Sequence, residues 1–401
     1  MRPFTSTISL EEARRRLAAA VRPIARVERV GLEQAAGRVA AADISSPIDV
    51  PPFSRSAMDG YAVVAAATAG ASRSAPVRLR LLDRIYTGAM SAVTVTAGAC
   101  AEIATGAPLP AGADAVVMVE ETARGADAIE IFAAASPGQN VGRRGADILA
   151  GDRVVSAGDV LTPSRVGALA AVGCRGVDVY AKPRVAILST GNEVIEPGEP
   201  LAAGQIFDVN RFTLTAIVSM HGGVPEPQRA AQDDVDALVA ALDRCADADV
   251  VVFSGGSSVG ERDLVVDAIK ARGEMIFHGV AVRPGKPTAF AIVSGTPFFG
   301  MPGNPTSCLS NAYILLVPFL RAVARLPPHD PKTQRVPLGR RIVSAANRHQ
   351  FYTVRLQDGV AYPAFKGSGD ITSLSQADGY IEIAADQDTV AEGALVDVTL
   401  F

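Results

Sequence analysis

Apolar positions recur at helical spacing near the start of the chain: Leu10, Ala13, Leu17 and Val21 share one face, and Ser9 with Glu12 makes a capping box ahead of them. The spacing predicts an amphipathic helix whose buried face needs a domain to pack on. From about 45 to 160 the pattern shifts to short apolar runs, VRLRLL, DAVVMVEE and AIEIFA, punctuated by Pro47, Pro51, Pro52 and many glycines, which predicts mostly β structure. Between about 180 and 325 the two patterns alternate. RVAILS (184–189) and ADVVVFS (248–254) read as buried strands. NRFTLTAIVSMHG (210–222) reads as a helix capped by Asn210, and DDVDALVAALDRCA, ERDLVVDAIKARG and PTSCLSNAYILLVPFLRAVARL read as further helices, the last with Pro305 at its first position after Asn304. Alternation of this kind predicts an α/β domain with a largely parallel sheet. Beyond a linker, PPHDPKTQ (327–334), come VPLGRRIV, FYTVRL, YIEIA and ALVDVTL, short strands that suggest a small barrel or sandwich.

Composition narrows the partners. A chain of 401 residues with 48% hydrophobic content can bury several cores, and a net charge of -4 offers no basic excess for nucleic acid or an anionic membrane. A small-molecule partner is expected. Cys100, Cys174, Cys245 and Cys308 are far apart with no CxxC pair, which reads as reduced thiols in a reducing compartment. Arg14, Arg15 and Arg16 follow Glu11 and Glu12 with no apolar segment after them, so no signal peptide is expected; the run AYILLVPFL (312–320) is short of a membrane span. The expectation is a soluble, cytoplasmic protein.

Candidate chemistry sits in loops. SGGSSVGERD (254–263) follows a strand with three glycines, three hydroxyls and two carboxylates, a composition suited to wrapping backbone amides around an anion, since a Cβ would block close approach. STGNE (189–193) and MPGNP (301–305) follow other strands, so three polar loops should converge on one crevice beyond the carboxyl ends of the sheet. In RPGKP (283–287), Arg283 and Lys286 are spaced to meet an oxyanion, the first by its planar fork and the second as a point charge; alone, the stretch reads equally as a proline-bracketed surface turn. Glu193, Asp208, Asp233 and Asp263 lie in or near loops and helix starts of the α/β region. Each could be a cap or a solvated charge, whereas together they suit Mg²⁺ bridging to substrate phosphates. With four histidines and no HExxH, a zinc hydrolase is disfavoured.

Nine stretches in this order resemble the molybdopterin molybdenumtransferase family, which includes MoeA and is similar to the gephyrin E domain. They are SAMDGYAV (56–63), ATGAPLPAGADAVVMVEE (104–121), GQNVGRRGADI (138–148), STGNE, QIFDVNR (205–211), SGGSSVGERD, RPGKP, MPGNPTS (301–307) and GSGDITSLSQADGYI (367–381). The resemblance covers essentially the whole chain. It implies a multidomain elongated subunit of α/β plus β class: 1–48 and 140–180 as a discontinuous β-rich domain, 49–139 as an inserted β-rich domain, 181–326 as an α/β molybdopterin-binding domain, and 327–401 as a C-terminal β barrel. It further implies a homodimer and Mg²⁺-dependent insertion of molybdate into adenylylated molybdopterin with release of AMP. A molybdopterin adenylyltransferase and acceptor molybdoenzymes are the implied protein partners.

The resemblance assigns roles position by position. Asp59, Thr105 and Asp147 match site positions of the inserted region. Glu193, Asp208, Asp233 and Asp263 match the acidic set, with Glu193, Asp208 and Asp263 as implied Mg²⁺ ligands. Arg283 and Lys286 are implied to hold molybdate or the anionic substrate. Ser189, Thr190, Gly191, Asp208, Ser254, Gly255, Gly256, Ser257, Ser258, Pro302, Gly303 and Asn304 are implied to contact the pterin and its phosphate. The chain departs from the family pattern at Ser54 and Arg55, where a carboxylate is usual, at Ser257 for valine, at Gly142 for arginine and at Arg283 for lysine. Two other readings stand beside this one: a molybdopterin adenylyltransferase, which shares the α/β domain, and a non-catalytic molybdopterin carrier or scaffold.

Overall fold

The computed structural model describes residues 7–228, 235–255, 266, 269, 272–344 and 347–401. The chain forms two compact units, one built from the segment up to Glu28 together with Tyr180 onward, the other from Arg29–Val179. The ERDLVVDAIKARG helix expected at 261–273 lies mostly outside the described residues.

In the first unit the strands of the central sheet run in the order Val224–Pro227, Arg184–Ser189, Val250–Ser254, Thr296–Met301, Ala289–Val293 and Gly273–His278. Only Ala289–Val293 runs opposite to the other five strands, so the largely parallel sheet expected from the alternation is present. Arg184–Ser189 and Val250–Ser254 are buried almost throughout, as strands covered on both faces must be. One face packs Val185, Ile187, Val252 and Phe299 against Leu214, Ile217 and the buried side of Pro305–Val323. That helix is long and apolar enough to cross a membrane by length and composition, yet 72% of its most apolar window is buried in this core. The opposite face packs Leu188, Val251 and Phe253 against Leu238, Ala241 and Ile269.

The opening helix Leu10–Ala20 forms as its spacing predicts, with Ser9 Oγ accepting the Glu12 N–H at 3.1 Å. The other half of the capping box is replaced by ion pairs from Glu12 to Arg15 and Arg16. The family resemblance implies that 1–48 groups with 140–180. In the structure Leu10, Ala13, Leu17 and Ile24 instead join the core with Phe277, Val280 and Val282, because that is where a matching apolar surface is presented.

The C-terminal strands, still within the first unit, close on themselves. Val360–Pro363, His349–Gln357, Gly379–Ile383, Leu395–Leu400 and Thr333–Pro337 pair in series, and a Leu338–Ala361 bridge joins the ends. Leu338, Val354, Ile381, Ile383 and Val398 fill the interior. Val282–Arg283, arriving from the α/β region, adds in parallel to His349 and Gln350.

The second unit contains a sheet ordered Ala115–Met118, Gly60–Val63, Ala99–Ile103, Val77–Ile85, Ile129–Ile131 and Thr122–Arg124. A separate core of Val30, Ala40, Val155, Leu161, Leu169 and Val177 lies under the helix Pro163–Ala171. All four thiols are free. Burial, with the nearby Glu102 carboxylate, pushes the Cys100 thiol up to about 12, and burial likewise raises Cys308, so these behave as small apolar groups.

His221, 5% exposed at the end of Asn210–Met220, meets the ring of His329 edge-on at 4.9 Å. Burial, helped by the nearby His329 and Arg321, lowers its pKa to about 4 from 6.5. The unfolded chain therefore takes up a proton here at a higher pH than the folded chain, and stability is lost as pH falls from 6.5 toward 4. Urea denaturation should show that His221→Gln removes on the order of 2 kcal/mol of the stability lost between pH 7 and pH 4; an identical acid dependence in wild type and variant would contradict this.

Candidate functional site

Register brings the loops together. Ser189 pairs with Ser254 and Ser254 with Met301, so three parallel strands end side by side at one edge of the sheet. The turns that follow touch backbone to backbone: Thr190 N–H donates to the Ser254 carbonyl at 3.0 Å and Gly255 N–H to the Met301 carbonyl at 3.4 Å. Gly255 has φ +107, and a Cβ there would lie 2.5 Å from the Thr190 carbonyl oxygen. A Cβ on Gly303 would reach to 3.5 Å from the Gly255 Cα.

The other wall comes from RPGKP and the C-terminal region. Pairing of Val282–Arg283 with His349 and Gln350 carries Arg283 and Lys286 to the cleft and sets Arg348 beside them. The 366–371 segment docks on the start of Pro305–Val323. Thr306 N–H donates to the Ser368 carbonyl at 3.1 Å, Thr306 Oγ1 to the Asp370 carbonyl at 2.8 Å and Asn304 Nδ2 to Ser368 Oγ at 3.0 Å.

The result is a cleft of about 1350 Å³, with Arg283, Lys286, Arg348 and Lys366 facing it alongside Glu193 and Asp208. Val194, Ile206, Phe207, Phe365 and Ile371 give it apolar surface. A basic lining with apolar flanks and a glycine-turn floor accommodates a sizeable ligand that carries negative charge and a flat ring. Two buried polar atoms in the lining, Thr190 Oγ1 and Asn210 Oδ1, have no hydrogen-bond partner among the described residues. Such atoms are rare in folded proteins and point to a missing ligand or water.

Of the residues singled out from the sequence, Ser189, Thr190, Gly191, Glu193, Asp208, Ser254, Gly255, Arg283, Lys286, Pro302, Gly303 and Asn304 all line this one cleft. Asp233, Gly256, Ser257, Ser258 and Asp263 lie outside the described residues. Asp59, Thr105 and Asp147 belong to the second unit. There the Asp59 carboxylate accepts the Thr105 N–H at 2.7 Å and borders a hollow of about 240 Å³ with Tyr61, Arg84 and Glu102.

One expectation is corrected. Asn210 does not cap its helix: Asp208 Oδ1 accepts the Arg211 N–H at 3.0 Å in that role, and Asn210 Nδ2 instead donates to the Gly303 carbonyl at 2.8 Å. The residue is turned toward the cleft because a carbonyl needing a donor lies there. Sequence reasoning also missed Arg348, Lys366 and Ser368. Gly367 and Gly369 bracketing Ser368 repeat the glycine-and-hydroxyl composition of the other loops and could have flagged it. Arg348 reaches the cleft only through strand pairing and carries no local signal.

The carboxylates can be tested for a hard cation. Glu193 is exposed beside Gly191, whereas Asp208 is partly engaged, with Arg211 Nε 3.5 Å from its Oδ2. Among the described residues no cluster of three acidic, histidine or cysteine groups forms a cation cage. Glu193 and Asp208 both line the cleft and are oxygen donors of the kind a hard cation takes, with Asp208 buried and held by Arg211.

Fold and site together define a multidomain protein with a basic-lined cleft at the carboxyl edge of a nearly parallel sheet. The MoeA N-terminal region (domain I and II) family model matches residues 8–173, the model described as a probable molybdopterin binding domain matches 186–322, and the MoeA C-terminal region (domain IV) model matches 335–401. The chain is 37% identical over 390 residues to molybdopterin molybdenumtransferase 2 of Mycobacterium tuberculosis, covering 94% of this chain and 95% of that one. It is 31% identical over 403 residues to the molybdopterin molybdenumtransferase of Haemophilus influenzae, covering 98% of each. A solved molybdopterin biosynthesis MoeA protein from Pyrococcus horikosii superposes with a TM-score of 0.85 at 40% identity, over 98% of this chain and 99% of that one. The chain belongs to the MoeA family of molybdopterin molybdenumtransferases, proteins of molybdenum cofactor biosynthesis.

Gly255→Ala forces a Cβ against the Thr190 carbonyl at a φ that alanine resists. It should cost roughly 1–3 kcal/mol of unfolding free energy, read by chemical denaturation, and weaken ligand binding in the cleft; an unchanged denaturation midpoint would show that the turns are not in tight contact.

Proposed function

We propose that this chain catalyses the insertion of molybdate into adenylylated molybdopterin, with release of AMP, in the cytoplasm and as a homodimer. The observation that carries the reading is the convergence of Arg283, Lys286, Arg348 and Lys366 on a cleft that also presents Thr190, Asn210 and two carboxylates. The substrates are both anionic: a phosphoanhydride joined to a flat pterin, and a tetrahedral oxyanion. The basic side chains hold these charges close together, which water alone would keep apart by solvation and mutual repulsion. Phe207, Phe365 and Ile371 supply surface against which a pterin ring can lie.

Within this reading the protein acts mainly by placement. Arg283 and Lys286 fix the oxyanion next to the two dithiolene sulfurs, and the turns at Gly255 and Gly303 hold the phosphate end, so the reacting groups meet at high effective concentration. Glu193 and Asp208, with Asp263, would hold Mg²⁺. That ion would supply positive charge to the phosphoanhydride, which water cleaves with AMP as the leaving group. No covalent protein nucleophile is needed. Asp59, Thr105 and Asp147 serve the reaction in the assembled homodimer, and the domain division implied by the family resemblance, with the opening helix moved to the α/β core, organises the subunit.

Purified protein mixed with adenylylated molybdopterin, molybdate and Mg²⁺ should release AMP. Lys286→Ala should raise the molybdate KM by roughly ten- to a hundredfold, the weight of a charge-assisted contact, and Glu193→Gln should lower kcat while leaving the thermal midpoint unchanged. Binding without AMP release would make the protein a carrier. Adenylylation of free molybdopterin from ATP would make it an adenylyltransferase.

A further inference from the structure

Two fully buried polar side chains lie directly behind the basic loop. Thr288 and Asn311 are both 0% exposed, and Asn311 occupies a helix whose next residues, Ala312, Ile314, Leu315 and Leu316, are all core. Burying an amide among such neighbours costs free energy unless its hydrogen bonds are made. The amide nitrogen makes its bonds to the loop, while Oδ1 is buried with no partner among the described residues. Asn311 Nδ2 donates to the Gly285 carbonyl at 2.8 Å and also contacts Thr288 Oγ1. Thr288 Oγ1 donates to the same carbonyl at 2.9 Å, and Thr288 N–H approaches it at 3.3 Å. One carbonyl between Arg283 and Lys286 thus collects three donors.

Two further features converge on the same contact. Gly285 has φ +104, and a Cβ there would fall 2.1 Å from Asn311 Nδ2, so the glycine is required by the amide that occupies its side-chain space. The helix also widens into a π turn at Ala312–Leu316, starting at the residue after Asn311. Such turns change the angular phase of the helix and recur where a side chain must be aimed.

We infer that Asn311 is the positioning residue of the anion-binding loop, setting the separation and aim of Arg283 and Lys286 through the Gly285 carbonyl. This rests on the proposed role of that basic pair in holding the oxyanion. Asn311 touches no substrate; it acts by fixing the backbone from which both cations extend.

The test is molybdate kinetics and binding in wild type, Lys286→Ala, Asn311→Ser and Asn311→Asp, with adenylylated molybdopterin affinity and thermal midpoint measured in parallel. Loss of the clamp should raise the molybdate KM roughly ten- to a hundredfold, the scale of a misplaced binding group, with pterin affinity within about twofold of wild type, well below the tenfold that 1.4 kcal/mol represents. In Asn311→Asp the new side chain can donate to the carbonyl only when protonated, so its molybdate defect should shrink as pH falls, relative to wild type and Asn311→Ser. If Lys286→Ala raises KM and neither Asn311 variant does, the inference is wrong while the reading of the basic pair stands. If Lys286→Ala itself leaves molybdate KM unchanged, that reading fails first. If Asn311→Ser does not fold, the pH profile of Asn311→Asp decides: a defect that does not shrink as pH falls overturns the assignment.

Discussion

The close approach of three turns at one edge of a sheet is the constraint on which the rest of the structure depends. Thr190, Gly255 and Gly303 come near enough that a side chain on Gly255 would collide with the Thr190 carbonyl. This closeness follows from strand register, since Ser189, Ser254 and Met301 finish level with one another. A parallel sheet with both faces covered leaves its carboxyl edge as the place where backbone amides remain free to meet a ligand. The chain uses that edge, and lines it with cations from segments distant in sequence.

Those cations depend on a second piece of architecture. Arg283 and Lys286 extend from a loop pinned below by Asn311 and Thr288 and at its start by pairing with the C-terminal strands. Arg348 and Lys366 come from those same C-terminal strands and loops. The β region at the end of the chain is therefore a structural part of the cleft as well as a separate core.

Much of this was legible beforehand because it is local. Runs such as RVAILS and DVVVFS declare buried strands, and Asn304 and Pro305 announce a helix start. What escaped is what pairing decides. Asn210 looks like a cap by position, yet a carbonyl across the cleft takes its amide while Asp208 serves the helix. Arg348 lies in an unremarkable stretch and matters because the strand that begins at the next residue, His349, pairs with Val282–Arg283. Asn311 sits within an apolar helix, where a sequence reader sees a core with one polar exception, and its meaning appears only when Gly285 is seen beneath it.

The most direct test of this account is the position of a bound heavy oxyanion. Crystals soaked with tungstate, whose anomalous signal locates it without ambiguity, should place the ion within hydrogen-bonding distance of Arg283 or Lys286 and on the same side of the sheet as Gly255 and Gly303. An ion bound only elsewhere, with this cleft empty at saturating tungstate, would contradict it.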